Sequence, residues 1–266
     1  MTLPNRSPAF ARPSLAHPAP ATRAHVLLLG GTHEARALAE RIAAMPQIEG
    51  VVSLAGRTSA PLPQALPARI GGFGGAEGLA TYLTQQNITH VIDATHPFAA
   101  QMSINARETC AQIGLPLLRL TRAPWRPLEG DNWIEVADNA SAAQALGAKA
   151  RRVFLTIGRQ GVSAFRAAPQ HTYLLRVINP PDHADLPPLC TVIADRGPFT
   201  RDSEIALMRA HDLDVVISKN SGGPLTYAKI EAARALGLPV VMIAPPKLDD
   251  VRVTHDLDVA MAFLAS

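Results

Sequence analysis

The sequence has few cysteines. Only Cys110 and Cys190 occur among 266 residues, and they do not form a Cys-x-x-Cys motif. This scarcity excludes a disulfide framework and a cysteine-rich zinc site, and it suits a reducing compartment. We therefore expect a cytoplasmic protein with no bound metal ion.

Long apolar runs and a strong charge of one sign are also missing. No run reaches the roughly 18 apolar residues that a membrane helix needs, so we expect no membrane association. The net charge of +3 is too weak and too scattered to indicate nucleic-acid binding, but it suits an anionic small molecule. Apolar residues still make up 47% of the chain, which excludes disorder of the whole chain.

The N-terminal segment lacks acidic residues, because the first one in the chain is Glu34. Proline, alanine and arginine dominate residues 1–23, and no apolar core of a secretory signal is present. An organellar transit peptide is one interpretation, since such peptides are rich in arginine and poor in acidic residues. The prolines disfavour an amphipathic helix, so we expect residues 1–23 to form a flexible tail.

A short apolar run at residues 25–29 ends in Gly30 and Gly31, and helical spacing follows. The run is too short for a buried helix and is typical of a buried parallel strand. Thr32 can cap the helix with its hydroxyl. Because a glycine turn presents bare N–H groups and the helix dipole attracts anions, this pattern favours a phosphate site.

The turn departs from the standard dinucleotide fingerprint, which has glycines where Thr32 and Ala35 stand. Alanine is an accepted variant at the second of these positions, because only a small side chain is needed there. Glu34 suits the helix dipole but would repel a nearby phosphate. A plain strand–helix turn without a ligand is therefore the alternative interpretation.

The second predicted strand, residues 51–55, is followed by Gly56 and then by Arg57, Thr58 and Ser59. In a doubly wound sheet this tip reaches the adenosine ribose, where a carboxylate favours NAD and an arginine accommodates the 2′-phosphate of NADP. The tip carries no carboxylate. We therefore expect NADP rather than NAD, with a solvated loop arginine as the alternative.

Two further strand ends carry residues of interest. The third predicted strand, residues 68–73, contains Gly72, and the fourth ends in Asp93, Thr95 and His96. Ligands of open α/β sheets bind outside the carboxyl ends of the strands. We expect Gly72 and Thr95 beside the cofactor and a functional role for His96; a flexible turn glycine and a structural histidine are the alternatives.

The apolar periodicity lapses at residues 124–131, and the pattern of strand, glycine and helix then repeats, for example at 152–158 and 213–223. Alternating strands and helices predict parallel sheets. We therefore predict an α/β fold of two Rossmann-like units with mainly parallel sheets and a cleft between them. Residues 24–126 would bind the cofactor, and residues 127–266 would bind the substrate.

Basic residues accumulate near the predicted strand ends. Each one alone is typical of a solvated surface, but together they indicate a cleft for a substrate with several carboxylates. The residues are Arg119, Arg122, Arg126, Arg159, Arg176, Arg196, Arg201 and Lys219.

Three motifs, occurring in this order, together resemble the precorrin-6A reductase family. They are Gly30-Gly-Thr-His-Glu-Ala-Arg36, Asp93-Ala-Thr-His-Pro-Phe-Ala99, and Ser218-Lys-Asn-Ser-Gly-Gly223 with Tyr227-Ala-Lys229. The resemblance covers about residues 25–246. It implies NADPH-dependent reduction of a double bond of the precorrin-6A macrocycle to precorrin-6B, in cobalamin biosynthesis. The motifs do not separate this family from relatives that reduce the cobalt-bound macrocycle; we favour the metal-free substrate.

The resemblance and the strand-end residues together give a set of expected site residues. We expect NADPH on the first unit, at Gly30, Gly31, Thr32, Glu34, Ala35, Arg57, Thr58, Ser59, Gly72 and Thr95. We expect the macrocycle in the cleft, at His96, Pro97, Arg122, Arg196, Arg201, Lys219, Asn220, Ser221, Gly222 and Gly223. His96 is the first candidate proton donor, followed by Lys219 and Tyr227, and water is a further alternative. Hand-over of the tetrapyrrole to neighbouring pathway enzymes is a further possibility.

Two other functional classes are compatible with the sequence. A non-catalytic tetrapyrrole carrier would not need the arginine and hydroxyls at the second strand tip. A reductase of small carbonyl compounds commonly carries a Tyr-x-x-x-Lys pair, whereas Tyr227 and Lys229 here have a different spacing.

Overall fold

The computed structural model describes residues 23–56 and 62–265. Almost all of the tail expected at residues 1–23 lies outside the described residues, as does the second strand tip at Arg57, Thr58 and Ser59. The described residues form twelve strands and seven α-helices. The strands are β1 (Ala24–Leu29), β2 (Ile48–Leu54), β3 (Ala68–Ile70), β4 (His90–Asp93), β5 (Leu117–Leu120), β6 (Trp133–Val136), β7 (Arg152–Thr156), β8 (Thr172–Val177), β9 (Cys190–Ala194), β10 (Val215–Lys219), β11 (Val240–Ile243) and β12 (Arg252–Thr254). The helices are α1 (His33–Ala43), α2 (Ala76–Gln85), α3 (Ala100–Ile113), α4 (Asn139–Ala145), α5 (Arg201–Ala210), α6 (Ala228–Ala235) and α7 (Leu257–Phe263).

The strands form two six-stranded sheets, in the orders β12-β5-β4-β1-β2-β3 and β6-β11-β10-β7-β8-β9. Every pair of neighbouring strands is parallel. In the first sheet, Leu28 of β1 stands in register with Val52 and Ile92 on either side. The predicted α/β fold of two Rossmann-like units with mainly parallel sheets is confirmed.

Each sheet is covered by packed side chains on both faces. Residues 26–29 of β1 and 240–243 of β11 are buried throughout, because strands in the middle of a covered parallel sheet have no solvent-facing side. The third strand ends at Ile70 rather than at the expected residue 73. Gly71 has a left-handed backbone with a φ of +117°, which breaks the extended conformation there.

The strand order reverses at equivalent places in the two sheets. In the first sheet the chain proceeds from β1 to β2 on one side and later returns to β4 on the other; in the second sheet β7, β8 and β10 repeat this arrangement. Such a reversal opens a crevice at the carboxyl ends of the two central strands, where ligands of open α/β sheets bind. The fold therefore provides two such crevices.

The last segment of the chain departs from the expected division into units. Strand β12 pairs with β5 of the first sheet, and Ala260, Phe263 and Leu264 pack into the first unit's core. The placement of residues 252–264 in the second unit is therefore wrong. A three-residue strand is too short to show the alternation of apolar and polar residues that indicates a strand. Its partner also lies far away along the chain, so local sequence patterns do not reveal this pairing.

Candidate functional site

The glycine turn after β1 is shaped by close packing on one side and open space on the other. The Gly30 N–H donates to the Ser53 carbonyl at 2.9 Å, and a Cβ at residue 30 would lie 2.9 Å from Val52 Cγ1. Gly31 has a φ of +112°, and no heavy atom lies within 4 Å of the position of a Cβ there. A ligand can therefore approach the backbone of the turn at Gly31.

Thr32 joins the two central strand ends of the first sheet. Its hydroxyl oxygen accepts from the Ala35 N–H at 3.1 Å, which caps α1, and its O–H donates to the Ala94 carbonyl at 2.8 Å, just after β4. The buried Ala35 lets the first turn of α1 pack closely. The helix N-terminus thus stands at the crevice between β1 and β4, where its dipole favours a phosphate.

The loop after β4, residues 94–98, is anchored by the buried carboxylate of Asp93. Its Oδ1 accepts from the Thr95 N–H at 3.0 Å and from the Thr95 hydroxyl at 2.7 Å. Oδ2 accepts from the Ser103 hydroxyl and lies 3.8 Å from Arg119 Nε. The Thr95 hydroxyl proton is therefore directed at Asp93, so any contact of this side chain with a cofactor would use the oxygen's remaining lone pair.

His96 lies in the 94–98 loop, accessible to solvent but flanked by protein atoms and cations. Its Nδ1 accepts from the Phe98 N–H at 3.2 Å, which assigns the proton of the neutral ring to Nε2. Desolvation is the main cause that lowers the pKa of His96 to about 4, and the charges of Arg122, Lys219 and Lys229 lower it further. The imidazole is thus neutral near pH 7 and carries one N–H donor, on Nε2.

The carboxyl ends of the two sheets meet at the 219–223 loop, which starts from Lys219, the last residue of β10. Phe98 of the first unit packs against the core of the second unit, and Lys219 Nζ lies 5.2 Å from the Phe98 ring centroid. Arg122, just after β5, donates to the Gly222 carbonyl at 3.4 Å. His96, Arg122 and Lys219, which belong to strand ends of both sheets, therefore come together, and the space that they border is called the cleft below.

Gly222 and Gly223 allow the 219–223 loop to approach the linker between the units, which is the segment 121–132 between β5 and β6. Both have left-handed backbones, with φ of +66° and +73°. A Cβ at residue 222 would lie 2.3 Å from the Ala123 carbonyl oxygen, and one at residue 223 would lie 2.6 Å from Arg122 Cδ. The close approach to the linker by itself explains why glycine is needed at both positions.

Asn220 clamps the same loop to the linker. Its Oδ1 accepts from the Trp125 N–H at 2.7 Å, and its Nδ2 donates to the Trp125 carbonyl at 2.9 Å. The Trp125 indole N–H in turn donates to the Gly223 carbonyl at 2.7 Å. Asn220 and the adjacent Ser221 are buried. Both ends of the Asn220 amide are therefore engaged by protein, which gives this residue a structural role in addition to any contact with a substrate.

Tyr227 and Lys229 lie behind the 219–223 loop. The Tyr227 hydroxyl accepts from Arg234 at 2.7 Å, and Arg234 also forms a two-bond ion pair with Asp131. Lys229 is buried beneath Trp125 and donates to the Thr226 carbonyl at 2.6 Å. The Tyr227 oxygen is therefore held by the Arg234–Asp131 pair on the far side of the loop from His96, and this position makes it the least favoured of the three expected proton donors.

Burial is the main cause that lowers the pKa of Lys229 to about 7, and the nearby Arg176 lowers it further, whereas Glu204 opposes the shift. Arg176 pairs with the buried Glu204 at 2.6 Å and stacks on Phe199. Arg176 and Arg119 were expected among the cleft cations that grip the substrate. Both are instead buried in ion pairs with carboxylates, so this expectation is wrong for them.

The remaining expected residues are more dispersed. Pro97 is buried and its carbonyl accepts from Arg119, whereas Gly72 is exposed and its carbonyl accepts from Arg69 at 3.0 Å. Arg196 and Arg201 are exposed, on the segment before α5 and at its first residue. The structure therefore places these two arginines on the surface of the second unit.

Several contributors to the site were not anticipated from the sequence. Phe98 and Trp125 form the packing between the units, and Lys229 adds charge near His96. Arg69 donates to the Ser53 hydroxyl at 2.8 Å and stacks on Phe73, so it orders the end of β2. The position of Arg69 directly beside Ser53 in the β2–β3 ladder depends on strand register, which the sequence pattern did not specify.

Within residues 23–56 and 62–265, no three His, Cys, Asp or Glu side chains are grouped so that they could hold a metal ion. Over the same ranges, none of the helices combines the length and apolar character needed to cross a membrane.

A family model described as precorrin-6x reductase CbiJ/CobK matches residues 25–265. The chain belongs to this family. The match includes the glycine turn, the 94–98 loop, the 219–223 loop and the C-terminal strand β12.

Individual members of the CbiJ/CobK family are closely similar to the chain. The precorrin-6A reductases of Rhodobacter capsulatus and Rhodococcus erythropolis are each 50% identical to it, covering 90% and 89% of this chain and 95% of each relative. A solved structure of CobK precorrin-6A reductase is 48% identical, with a TM-score of 0.84, and covers 91% of this chain and 96% of that one. A cobalt-precorrin-6A reductase of Priestia megaterium is 29% identical over 84% of this chain and 91% of the relative.

Proposed function

We propose that this CbiJ/CobK family member reduces precorrin-6A to precorrin-6B in cobalamin biosynthesis, with NADPH as the hydride source. One structural observation carries the proposal: Arg122 joins the helix that follows the glycine turn to the 219–223 loop, because its guanidinium lies 3.6 Å from Glu34 and donates to the Gly222 carbonyl. A reductase needs a coenzyme and its substrate at one place, and positioning supplies much of the catalysis of hydride transfer.

The metal-free macrocycle is the preferred substrate. Relatives named precorrin-6A reductase are 50% identical to this chain, whereas a relative named cobalt-precorrin-6A reductase is 29% identical. The difference supports the metal-free reaction and leaves the cobalt-bound macrocycle as the alternative.

The coenzyme fits the first unit. The open space at Gly31 and the N-terminus of α1 suit its pyrophosphate. Arg57, Thr58 and Ser59 lie outside the described residues, so their role at the 2′-phosphate rests on the sequence alone. Arg69 adds a guanidinium to the neighbouring strand end. When bound, NADPH would supply the hydride, and the chain's own residues would orient the two reactants and exclude water.

The cleft residues suit a ring that bears acetate and propionate groups. Carboxylates would pair with Arg122 and Lys219, and the neutral His96 would donate its Nε2–H. Carboxylates placed there would offset the charge of the two cations, but they would not relieve the desolvation that is the main cause of the low pKa of His96. His96 stays the first candidate proton donor, with Lys219 as the alternative donor.

The test mixes the pure protein with precorrin-6A and either NADPH or NADH and follows the absorbance of both chromophores. We expect loss of NADPH absorbance in step with the macrocycle change, and a much slower reaction with NADH. Binding of the macrocycle without any coenzyme oxidation would favour a tetrapyrrole carrier. Faster turnover of small carbonyl compounds would favour the other reductase class.

Two further expectations stay predictions. A cytoplasmic location follows from the scarcity of cysteine, and hand-over of the product would require a contact with a neighbouring pathway enzyme. Cell fractionation would test the location, and co-purification from the native cell with and without substrate would test the contact.

A further inference from the structure

A buried ion pair lies behind the 94–98 loop. Arg119 on β5 stands in register with Asp93 on β4, and Arg119 Nε lies 3.8 Å from Asp93 Oδ2. Only 9% of the Arg119 side chain and 3% of the Asp93 side chain are exposed. Removing two charges from water costs several kcal/mol per ion, and a well-packed apolar pair in their place is often neutral or stabilising. Stability of the fold alone therefore does not explain the pair.

The hydrogen bonds of the pair are directed at the residues on both sides of His96. Asp93 Oδ1 accepts both from the N–H and from the hydroxyl of Thr95, the residue before it. Arg119 donates to the carbonyl of Pro97, the residue after it, at 3.3 Å. The loop is thus held on both sides of His96 by one pair of charges, while His96 itself is exposed.

The same loop is also tied to the glycine turn. Thr32 donates to the carbonyl of Ala94 at 2.8 Å. Ser103 of α3 donates to Asp93 Oδ2 and so fixes the carboxylate from the side of α3. A displacement of the loop would therefore move His96 relative to the coenzyme turn.

We propose that the Asp93–Arg119 ion pair, acting through Thr95 and Pro97, positions the His96 ring for the reduction; this step rests on the proposed function. Asp93 and Arg119 are positioning residues, because their own polar groups face the loop and α3 rather than the cleft. A misplacement of about 1 Å costs up to roughly 100-fold in rate, so a small shift of the loop is sufficient to impair the reaction.

The first variant is Arg119→Lys. Lysine keeps the positive charge, but it lacks the planar fork that reaches Asp93 and the Pro97 carbonyl together. We expect kcat to fall roughly 10- to 100-fold while the Kd for NADPH changes by less than about threefold. Arg41→Lys, which alters an exposed pair with Asp258 elsewhere in the first unit, is the matched control and should leave kcat unchanged.

The second variant, Asp93→Leu with Arg119→Met, removes both charges at once and guards against misfolding from an unpaired buried charge. We expect a folded protein, recognised by its cooperative thermal unfolding, and the same loss of kcat. Ser103→Ala removes one of the bonds that fix the Asp93 carboxylate but leaves both ties to the loop, so its loss of kcat should be smaller than that of either ion-pair variant.

NMR of the full-length protein labelled at histidine provides a readout that does not require turnover. We expect the His96 ring signals of Arg119→Lys to shift or broaden and its pKa to change, with the other histidines unaffected. Wild-type kcat together with unaltered His96 signals in either ion-pair variant would overturn the proposal. If the wild-type protein failed to reduce precorrin-6A, the proposed function would fall, and the NMR comparison would still decide whether the pair positions His96.

Discussion

The Arg122 guanidinium lies between Glu34 of the first unit and the Gly222 carbonyl of the second. Its Nε is 3.6 Å from Glu34 Oε2, and it donates to Gly222 at 3.4 Å. Glu34 occupies the first turn of α1, where its charge would oppose a phosphate, and Arg122 offsets that charge. One side chain therefore connects the coenzyme turn to the loop on the substrate side of the cleft.

Replacement of Arg122 should weaken coenzyme binding although the side chain belongs to the substrate side. In Arg122→Met the charge of Glu34 is uncompensated beside the expected phosphates. We predict a Kd for NADPH raised about tenfold, which corresponds to about 1.4 kcal/mol. Isothermal titration calorimetry at low salt measures it, because screening weakens the effect at high salt.

The matched control is the double variant Glu34→Gln with Arg122→Met. Without the carboxylate there is no uncompensated charge, so the Kd for NADPH should return to within about threefold of the wild-type value if the two residues are coupled. Equal Kd values for Arg122→Met and the wild-type protein would show that Glu34 does not face the coenzyme.

His96 should be uncharged in the free protein at neutral pH. Desolvation and the cations Arg122, Lys219 and Lys229 lower its pKa to about 4. We predict that an NMR titration of the free protein places the pKa of His96 below 5, and that Arg122→Met raises it because one cation is removed. A value near 6.5 in the wild-type protein would show that the ring is solvated and distant from these charges.

The role of His96 in the chemical step is tested separately. If protonated His96 delivers the proton, single-turnover reduction in His96→Ala should slow by roughly 100-fold or more. If His96 only donates a hydrogen bond to the substrate, the loss should appear mainly in KM.

Gly222 and Gly237 offer a matched comparison, because their backbones have nearly equal φ of +66° and +67°. Alanine at either site suffers left-handed strain of about 1–2 kcal/mol. Only at residue 222 does the new Cβ collide with backbone, at 2.3 Å from the Ala123 carbonyl oxygen, whereas no atom lies within 4 Å at residue 237. We predict that Gly222→Ala lowers both the melting temperature and kcat, and that Gly237→Ala lowers the melting temperature less and leaves kcat unchanged. Equal effects of the two variants on kcat would show that the linker contact does not shape the cleft.

The parts of the fold that could be predicted are those specified by local patterns. Each of these features can be recognised from a few consecutive residues: the buried run before Gly30, the helix cap at Thr32 and the strand that ends at Asp93. The carboxyl-end rule then predicted that His96 and Lys219 belong to one site, and the structure brings them to one cleft.

Other parts depend on partners that are distant in the sequence. Arg119 looked like an available cation, and only the register of β4 and β5 reveals its pairing with Asp93. Asn220 suggested a ligand contact, but its amide is matched to the Trp125 backbone across the linker. Strand β12 is too short to show an alternation of apolar and polar residues. These features arise from tertiary contacts, which a residue pattern does not encode.

Lys229 should make the stability of the protein depend on pH. In the folded protein its pKa is lowered from 10.5 to about 7, chiefly by burial, so the folded state binds this proton more weakly than the unfolded chain does. Below pH 7 both states carry the proton and the cost of the buried charge is fully present. Between about pH 7 and pH 10.5 only the unfolded chain retains it, so stability rises with pH, by at most about 1.4 kcal/mol per pH unit.

The measurement is the free energy of unfolding in urea at pH 5, 6, 7, 8 and 9, for the wild-type protein and for Lys229→Met. The difference between the two proteins isolates Lys229, because both share Cys110 and Cys190, whose pKa values burial raises to about 12 and about 11 and whose effect on stability has the opposite sign. We predict that the wild-type protein gains stability relative to Lys229→Met from pH 7 to pH 9 and that the difference is constant below pH 6. A difference that stays flat up to pH 9 would mean that Lys229 keeps its proton in the folded state, held by Glu204 more strongly than burial opposes it.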